Sequence, residues 1–336
     1  MNKIIIITPE ISSDKGGIQN WMFYVEKLLK TKNRDVSYYA YKEDRFRKLF
    51  SILKGQVYIL ATWKMAVFIF PIIYLIPKKV IIFVHGNEVL KLNLLQRTLL
   101  KYLIKRRNTR FIANSEAIGT LFEKNTGRKV DLVQFPFMEI PKDIQFQDNN
   151  NLEVPLEFFT ITRLVKRKNI ENVIRAMALI KNNIPDLNFL YKVAGSGSEF
   201  ENLNSLVDNL KLANCVSFVG RVTNEQKEKL YLEADYFLLP SIYDEANASI
   251  EGYGIVYIEA NSYGVPVLSG DTGGMIEAVN DGVTGLHCNG SVADIYEKIM
   301  KLVEMKFDKS LLVLHAKQHD YLTQNRFIDF LESFNE

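Results

Sequence analysis

Apolar, strand-like runs alternate with helical segments along this chain, and the alternation happens twice. In the first half, Ile4–Ile7, Val36–Tyr41, Gln56–Leu60, Val80–Val84, Arg110–Ala113 and Val130–Gln134 read as strands, with helices over Ile18–Lys30, Leu92–Lys105 and Ser115–Asn125. In the second half, Phe158–Thr162, Leu187–Ala194, Val216–Val219, Tyr236–Leu239 and Val265–Ser269 read as strands. The helices among them are Asn169–Lys181, Phe200–Leu210, Asn224–Glu233 and Ile255–Ser262, followed by Met275–Val279 and Val292–Glu304. Strands apolar on both faces and joined by helical crossovers predict parallel, doubly wound α/β sheets. The 336 residues suffice for two such domains. The polar, turn-prone stretch Asp148-Asn-Asn-Asn-Leu-Glu153, inside Pro141–Pro155, reads as the linker between them. The expected division is 1–150 and 151–314, two Rossmann-like domains facing a cleft, with a C-terminal helix at about 315–336 packing back on the first.

With 47% hydrophobic and 24% charged residues, the chain reads as a globular protein rather than a disordered one. Its formal net charge of +3 hides an asymmetry: residues 1–150 carry 25 Lys and Arg against 13 Asp and Glu, a net of +12, and the remainder carries −9. Such a split points the first domain at an anionic surface. Two segments suggest an anionic membrane. Residues 45–54 alternate basic and bulky apolar side chains. Residues 97–107 place Leu99, Leu100, Leu103 and Ile104 on one helical face, bordered by Lys101, Lys105, Arg106 and Arg107. No nucleic-acid-binding motif accompanies the charge, so nucleic acid is not expected as a partner. The apolar run Met65–Pro77 falls short of the ~20 residues of a membrane span and is interrupted by Pro71, so it reads as buried helix and loop. The chain enters a strand by Lys3 with no signal-peptide pattern, and Cys215 and Cys288 have no metal or redox spacing. The expectation is a cytoplasmic protein, peripheral on the inner face of the plasma membrane.

The chemistry concentrates at strand ends. In Glu251-Gly-Tyr-Gly-Ile-Val-Tyr-Ile-Glu259 two carboxylates flank two glycines and an apolar run. Gly252 and Gly254 let a ligand approach the backbone, and a helix starting near Gly254 or Ile255 aims its free N–H groups and dipole at an anion. Glu251 falls before that helix and Glu259 about one turn inside it. Carboxylates accept hydrogen bonds from vicinal diols, so the pattern suits a ligand with phosphate at its middle and hydroxyl-bearing rings at both ends, as in a nucleotide sugar. In Thr162-Arg163-Leu-Val-Lys-Arg-Lys168 a strand ends and a helix follows, so Arg163 and Lys168 can converge on one anion, with Lys166 and Arg167 as solvated neighbours. Asp14-Lys-Gly16-Gly17-Ile-Gln19 follows the first strand, His85-Gly-Asn-Glu88 the fourth, Gly195-Ser-Gly197 another, and Gly220-Arg221 the next. Asp271-Thr-Gly273-Gly274-Met-Ile-Glu277 and Asp281-Gly-Val-Thr-Gly285 come later. His315 and His319, four apart, read as exposed positions on a C-terminal helix rather than as a zinc pair. No Asp-x-Asp pair is present, so no metal-held diphosphate is expected.

From Lys3 to Gly285, and most closely over 158–285, the chain resembles retaining glycosyltransferases of GT-B fold, glycosyltransferase family four. The run Ile-Glu-Gly-Tyr-Gly-Ile-Val-Tyr-Ile-Glu-Ala-Asn is similar to bacterial members that build surface polysaccharide on a lipid carrier. The resemblance implies that Glu251 contacts the transferred sugar and Glu259 the nucleotide ribose. It implies that Arg163 and Lys168 face the diphosphate and that His85 positions the sugar, with Glu88 on the acceptor side. It places Gly16, Gly17, Gly195, Gly197, Gly220, Arg221, Gly252, Tyr253, Gly254 and Ile255 along the donor. The family pattern Gly-Arg-Leu and Lys-Gly departs here at Thr162 and Asn169, while both charges stay at the same interval. The implied activity is metal-independent, cofactor-free transfer from a nucleotide-diphosphate sugar to a glycan or lipid-linked glycan. Three rival readings use the same residues: a non-hydrolysing nucleotide-sugar epimerase of the same fold, a nicotinamide-dependent oxidoreductase built on the 195–199 loop, and a non-catalytic nucleotide-sugar-binding partner.

Overall fold

A computed structural model describes residues 3–12, 16–42, 52–70, 74, 78–142, 144 and 154–334. The chain forms two compact units, Met1–Glu139 with His319–Glu336, and Ile140–Gln318. The expected linker residues 148–153 and the charged stretch 45–51 lie outside the described residues.

In the first unit, β1 (Ile4–Thr8) leads into α1 (Gly17–Thr31), then β2 (Val36–Ala40), β3 (Val57–Leu60) and β4 (Lys79–Val84). The helices α2 (Asn87–Leu90) and α3 (Leu94–Lys105) precede β5 (Thr109–Ala113), and α4 (Glu116–Thr126) precedes β6 (Leu132–Val133). The sheet runs β2-β1-β3-β4-β5-β6, with every pair parallel. Ile4, Ile5, Ile6 and Ile7 are all buried, as a strand covered on both faces requires. Helix α3 starts two residues later than its apolar pattern suggests, because Asn93 closes a capping box with Gln96. Leu100 and Leu103 of this helix are buried, so the apolar face expected to meet a membrane belongs in part to the core. Its exposed apolar residues are Leu94 and Leu95, at 82% and 79%. In the run Met65–Pro77, a 3₁₀ stretch over Trp63–Ile69 buries Met65, Ala66 and Ile69 and leaves Val67 exposed. Residues 71–73 and 75–77 lie outside the described residues.

The second unit contains β7 (Leu156–Ile161), α5 (Ile170–Asn183), β8 (Phe189–Ala194), α6 (Phe200–Asn209), β9 (Val216–Gly220), α7 (Asn224–Glu233) and β10 (Tyr236–Leu239). It continues with α8 (Ile255–Ser262), β11 (Val267–Gly270), α9 (Met275–Ala278), β12 (Gly285–Cys288), α10 (Val292–Glu304) and α11 (Lys309–Lys317). Its sheet runs β12-β11-β10-β7-β8-β9, again all parallel. The order reverses between β7 and β10, and ligands of doubly wound sheets bind beyond the strand ends at such a switch point. Strand β12 was not foreseen. It is four residues long and opens with Gly285, where a Cβ would sit 2.1 Å from the Val267 carbonyl oxygen.

Helix α12 (Asn325–Ser333) returns to the first unit. Met138 donates to the His319 carbonyl and Tyr321 to the Met138 carbonyl, at 2.9 and 2.8 Å. His315 and His319 are buried, contrary to expectation, and they lie in different units. His315 Nε2 holds the Ala278 carbonyl at 3.1 Å, and His319 Nδ1 holds that of Pro136 at 3.0 Å. A ring nitrogen that satisfies a buried carbonyl explains both without a metal.

Candidate functional site

At the switch point of the second unit, the segments after β7 and β10 are joined by a backbone hydrogen bond from Ile242 to the Arg167 carbonyl, 2.8 Å. After β7 the chain makes a 3₁₀ turn over Lys166–Lys168 and then turns sharply at Asn169, whose φ of 59° and ψ of 27° are left-handed. Asparagine tolerates that conformation better than most residues, and here its side-chain amide also donates to the Gly290 carbonyl at 2.8 Å. The departure from Lys-Gly at this position therefore keeps the turn and adds a tie to the loop before α10.

The turn aims two neighbouring cations at one carboxylate. Arg167 Nη1 donates to Glu251 Oε2 at 2.6 Å, and Lys168 Nζ donates to the same oxygen. Arg167 is 8% exposed and Lys168 7%. Arg167 is thus not the solvated neighbour the sequence suggested. Burial alone would push the Glu251 carboxyl up, but Lys168 and Arg167 outweigh it and hold it down at about 2. Lys168 is lowered, first by its own burial and then by the positive charge of Arg167 and Arg163, against the pull of Glu251. Both shifts fit a cluster with more cations than anions. Arg163 is exposed at its edge.

The remaining loops hold this cluster in place. A Cβ at Gly195 would lie 1.8 Å from the Thr162 carbonyl oxygen, and one at Gly197 would lie 2.1 Å from that of Leu164. These glycines therefore serve first to let the loop after β8 lie against the Arg163 loop, where Leu164 donates to the Ser196 carbonyl. Gly195 donates to the Gly220 carbonyl at 2.7 Å, and Arg221 Nε to Ser196 Oγ at 2.9 Å. After β11, a Cβ at Gly273 would meet the Glu251 carbonyl oxygen at 2.6 Å. Gly254 caps α8 with φ 92°, and a Cβ there would sit 2.2 Å from the ring of Tyr257. The Tyr257 hydroxyl donates to the Leu239 carbonyl, which ties the start of α8 to the end of β10. Ile255 opens the helix, half-buried, and Gly252 is half-buried before it. Tyr253 differs from expectation: at 2% exposed its side chain belongs to the core.

Glu259, on the second turn of α8, is 6% exposed. Its Oε1 accepts from Lys227 Nζ at 2.9 Å and its Oε2 from the Tyr231 hydroxyl at 3.1 Å. Neither partner was singled out from the sequence. They stand four apart on α7, the helical spacing that puts two side chains on one face.

In the first unit, His85 follows β4, half-buried, with Nε2 2.8 Å from the Ala61 carbonyl oxygen and its ring edge-on to Trp21 at 5.6 Å. Burial lowers its pKa against the opposing pull of Glu88 and that carbonyl. Glu88 is 7% exposed, and its carboxylate accepts the backbone N–H of His85 at 2.6 Å. It shapes the His85 turn rather than standing open to an acceptor. Gly16 and Gly17 begin α1, Gly16 with φ 127°, and a Cβ at Gly17 would meet nothing within 4 Å.

The model of the family described as glycosyl transferases group 1 matches residues 141–320, over half of the chain. The chain belongs to the glycosyl transferases group 1 family. The family match spans Arg163, Lys168, Glu251 and Glu259 together. Among its relatives is a GDP-mannose-dependent alpha-(1-6)-phosphatidylinositol monomannoside mannosyltransferase of Mycolicibacterium smegmatis, 35% identical over 134 residues, 40% of this chain and 35% of that protein. Another is the amylovoran biosynthesis glycosyltransferase AmsK of Erwinia amylovora, 28% identical over 178 residues, 53% of this chain and 43% of that protein. The matched part spans about a third of the mycobacterial relative's length. Among solved structures, Anabaena HepE in complex with UDP and glucose aligns with a TM-score of 0.76 at 18% identity, covering 99% of this chain and 100% of that one. That likeness shows the fold: two parallel-sheet α/β units of the GT-B type.

Proposed function

We propose that the chain transfers a sugar, with retention of anomeric configuration and without a metal ion, from a nucleotide-diphosphate sugar to a glycan or lipid-linked glycan of a bacterial surface polysaccharide. The observation that carries this reading is the buried cluster of Arg167, Lys168 and Glu251, with Arg163 at its edge, at the switch point of the second sheet. Departure of a diphosphate builds negative charge. Fixed cations and a helix N-terminus aimed at that charge lower the barrier with little reorganisation. Arg163, Lys168 and the start of α8 supply them in place of a divalent cation. Glu251, kept ionised by Lys168 and Arg167, accepts hydrogen bonds from the transferred sugar, Glu259 accepts from the ribose, and His85 positions the sugar. Gly220 and Arg221 stand on the nucleobase side. The mycobacterial relative is named for a GDP-mannose donor and the Anabaena structure holds UDP, so both nucleotides belong in the test. The deciding experiment incubates the protein with UDP- and GDP-sugars, with and without a lipid-linked glycan. Acceptor-dependent release of nucleoside diphosphate supports transfer; isomerised donor without acceptor would replace it with epimerisation.

The first unit is proposed to dock on an anionic membrane, where a lipid-linked acceptor resides. Leu94 and Leu95 project from α3 with Arg97, Lys101 and Lys105 exposed on the same helix. Phe70 and Tyr74, 40% and 64% exposed, gather with Tyr102 at 5.8–5.9 Å between ring centres. Each basic residue near such a surface adds ~1 kcal/mol. Co-sedimentation with phosphatidylglycerol vesicles should be strong at low salt and weak on phosphatidylcholine. Binding indifferent to lipid charge and salt would overturn it. No helix among the described residues is long and apolar enough to cross a membrane.

A further inference from the structure

We propose that Lys227 and Tyr231 are positioning residues that set the Glu259 carboxylate as a receptor for the vicinal 2′- and 3′-hydroxyls of the donor nucleoside. The inference rests on the reading of the site as a nucleotide-sugar site and assigns a part to two residues outside its motifs. A buried carboxylate is costly unless it is paired and hydrogen-bonded. At Glu259 the two requirements are met by different groups on different oxygens: Lys227 takes Oε1 and Tyr231 takes Oε2. An ionised carboxylate offers about four acceptor positions, two on each oxygen. One position on each oxygen is thus spoken for, which leaves one on each for an incoming pair of adjacent hydroxyls.

The two partners are unequal in mobility. The Tyr231 ring is fully buried, stacked on Tyr263 at 5.3 Å and 8° and edge-on to Phe159 at 5.1 Å and 87°. It cannot swing away. Burial and the Glu259 charge push its pKa well up, so the hydroxyl stays a donor. The side chain of Lys227 is 22% exposed and reaches Glu259 from the rim. Thr223 and Gln226 close a capping box at the start of α7, which fixes the base of this arm one turn before Tyr231. Tyrosine fixes the plane of the carboxylate, and lysine balances its charge.

The test uses calorimetry with UDP, GDP and ADP, each beside its 2′-deoxy form, on the wild type, Lys227→Met, Lys227→Arg and Tyr231→Phe. Tyr231→Phe keeps the ring and its stacking, and Lys227→Met removes a rim charge, so both variants should fold. The wild type should prefer one ribonucleotide over its 2′-deoxy form by roughly tenfold or more, the scale of a hydrogen bond to a charged group. Lys227→Met and Tyr231→Phe should each lose most of that preference by weakening the ribonucleotide, with 2′-deoxy affinity changing less than about threefold; Lys227→Arg should restore it. A parallel loss of both forms, or an unchanged preference in both variants, overturns the assignment while the nucleotide site stands. A wild type that binds none of the three nucleotides overturns the assignment together with the reading it rests on.

Discussion

Glu251 and Glu259 stand eight residues apart and are both largely buried, yet their surroundings differ in kind. Glu251 meets two cations on one oxygen, with a third cation nearby. Glu259 meets one cation and one neutral hydroxyl, on separate oxygens. The first cluster carries surplus positive charge and is completed by an anion. The second is balanced and is completed by neutral donors. On the proposed function, a diphosphate answers the surplus charge of the first, with Glu251 turned to the transferred sugar beyond it, and a ribose diol answers the second. On that proposal, two identical side chains therefore serve opposite ends of one ligand through what surrounds them, not through their own chemistry.

The comparison breaks most easily in stability. Glu251→Ala strands two cations that are 8% and 7% exposed, and breaking a buried pair in this way costs ~3–5 kcal/mol. Glu259→Ala strands Lys227, which can turn to water from its rim position, and the buried Tyr231 hydroxyl, which keeps only the Val256 carbonyl at 3.5 Å, so the cost should be ~1–3 kcal/mol, that of a buried donor left short of its partner. Urea denaturation of the two variants measures the difference; equal losses would erase the distinction.

Turnover comes next. Arg163→Ala and Lys168→Ala should each lower kcat by ~100- to 1000-fold, the loss typical of one charge-stabilising donor. Near-normal rates in both would mean that the surplus charge does not face the leaving group.

Binding of the free nucleotide sharpens the division. Glu259→Gln should weaken the nucleoside diphosphate by roughly tenfold, in keeping with one lost charged hydrogen bond. Glu251→Gln should leave it within about threefold while sugar transfer falls. Equal losses of affinity would show that the two carboxylates do not divide the ligand between them. The smallest expected effect is none: if cations of the chain face the diphosphate as proposed, activity should persist in EDTA. Abolition by EDTA and recovery with magnesium or manganese would reassign the charge-stabilising role.

The sheets were legible because their strands are buried on both faces. Ile4–Ile7, Phe158–Thr160 and Phe237–Leu239 announce themselves as continuous apolar runs. Strand β12 escaped because four residues opening with glycine and containing His287 carry no such run; His287 is held instead by Ser269 Oγ at 2.8 Å. At the site, Glu251 and Glu259 were visible from their spacing around two glycines. Arg167 was not, because three basic residues in a row look alike until a turn decides which are buried. Lys227 and Tyr231 were hidden for a different reason. Their partner lies 32 and 28 residues away, and α7 is polar along most of its length. Gly195 and Gly197 were read as ligand-facing, whereas the structure shows them first as the room in which two loops touch.

The return of residues 319–336 to the first unit has a consequence for the order in which the protein can be made. During synthesis, domains generally form as their residues emerge, N-terminal ones first. Here that order is inverted. The unit spanning Ile140–Gln318 has all its strands once residue 318 has left the ribosome. The unit that starts the chain still lacks Tyr321, whose backbone binds Met138, and Phe327, which packs beside Phe83 and Phe137. The ribosome therefore delivers the second unit complete while the unit begun first still waits with an uncovered aromatic core, and a chain stopped at residue 318 would leave that core open.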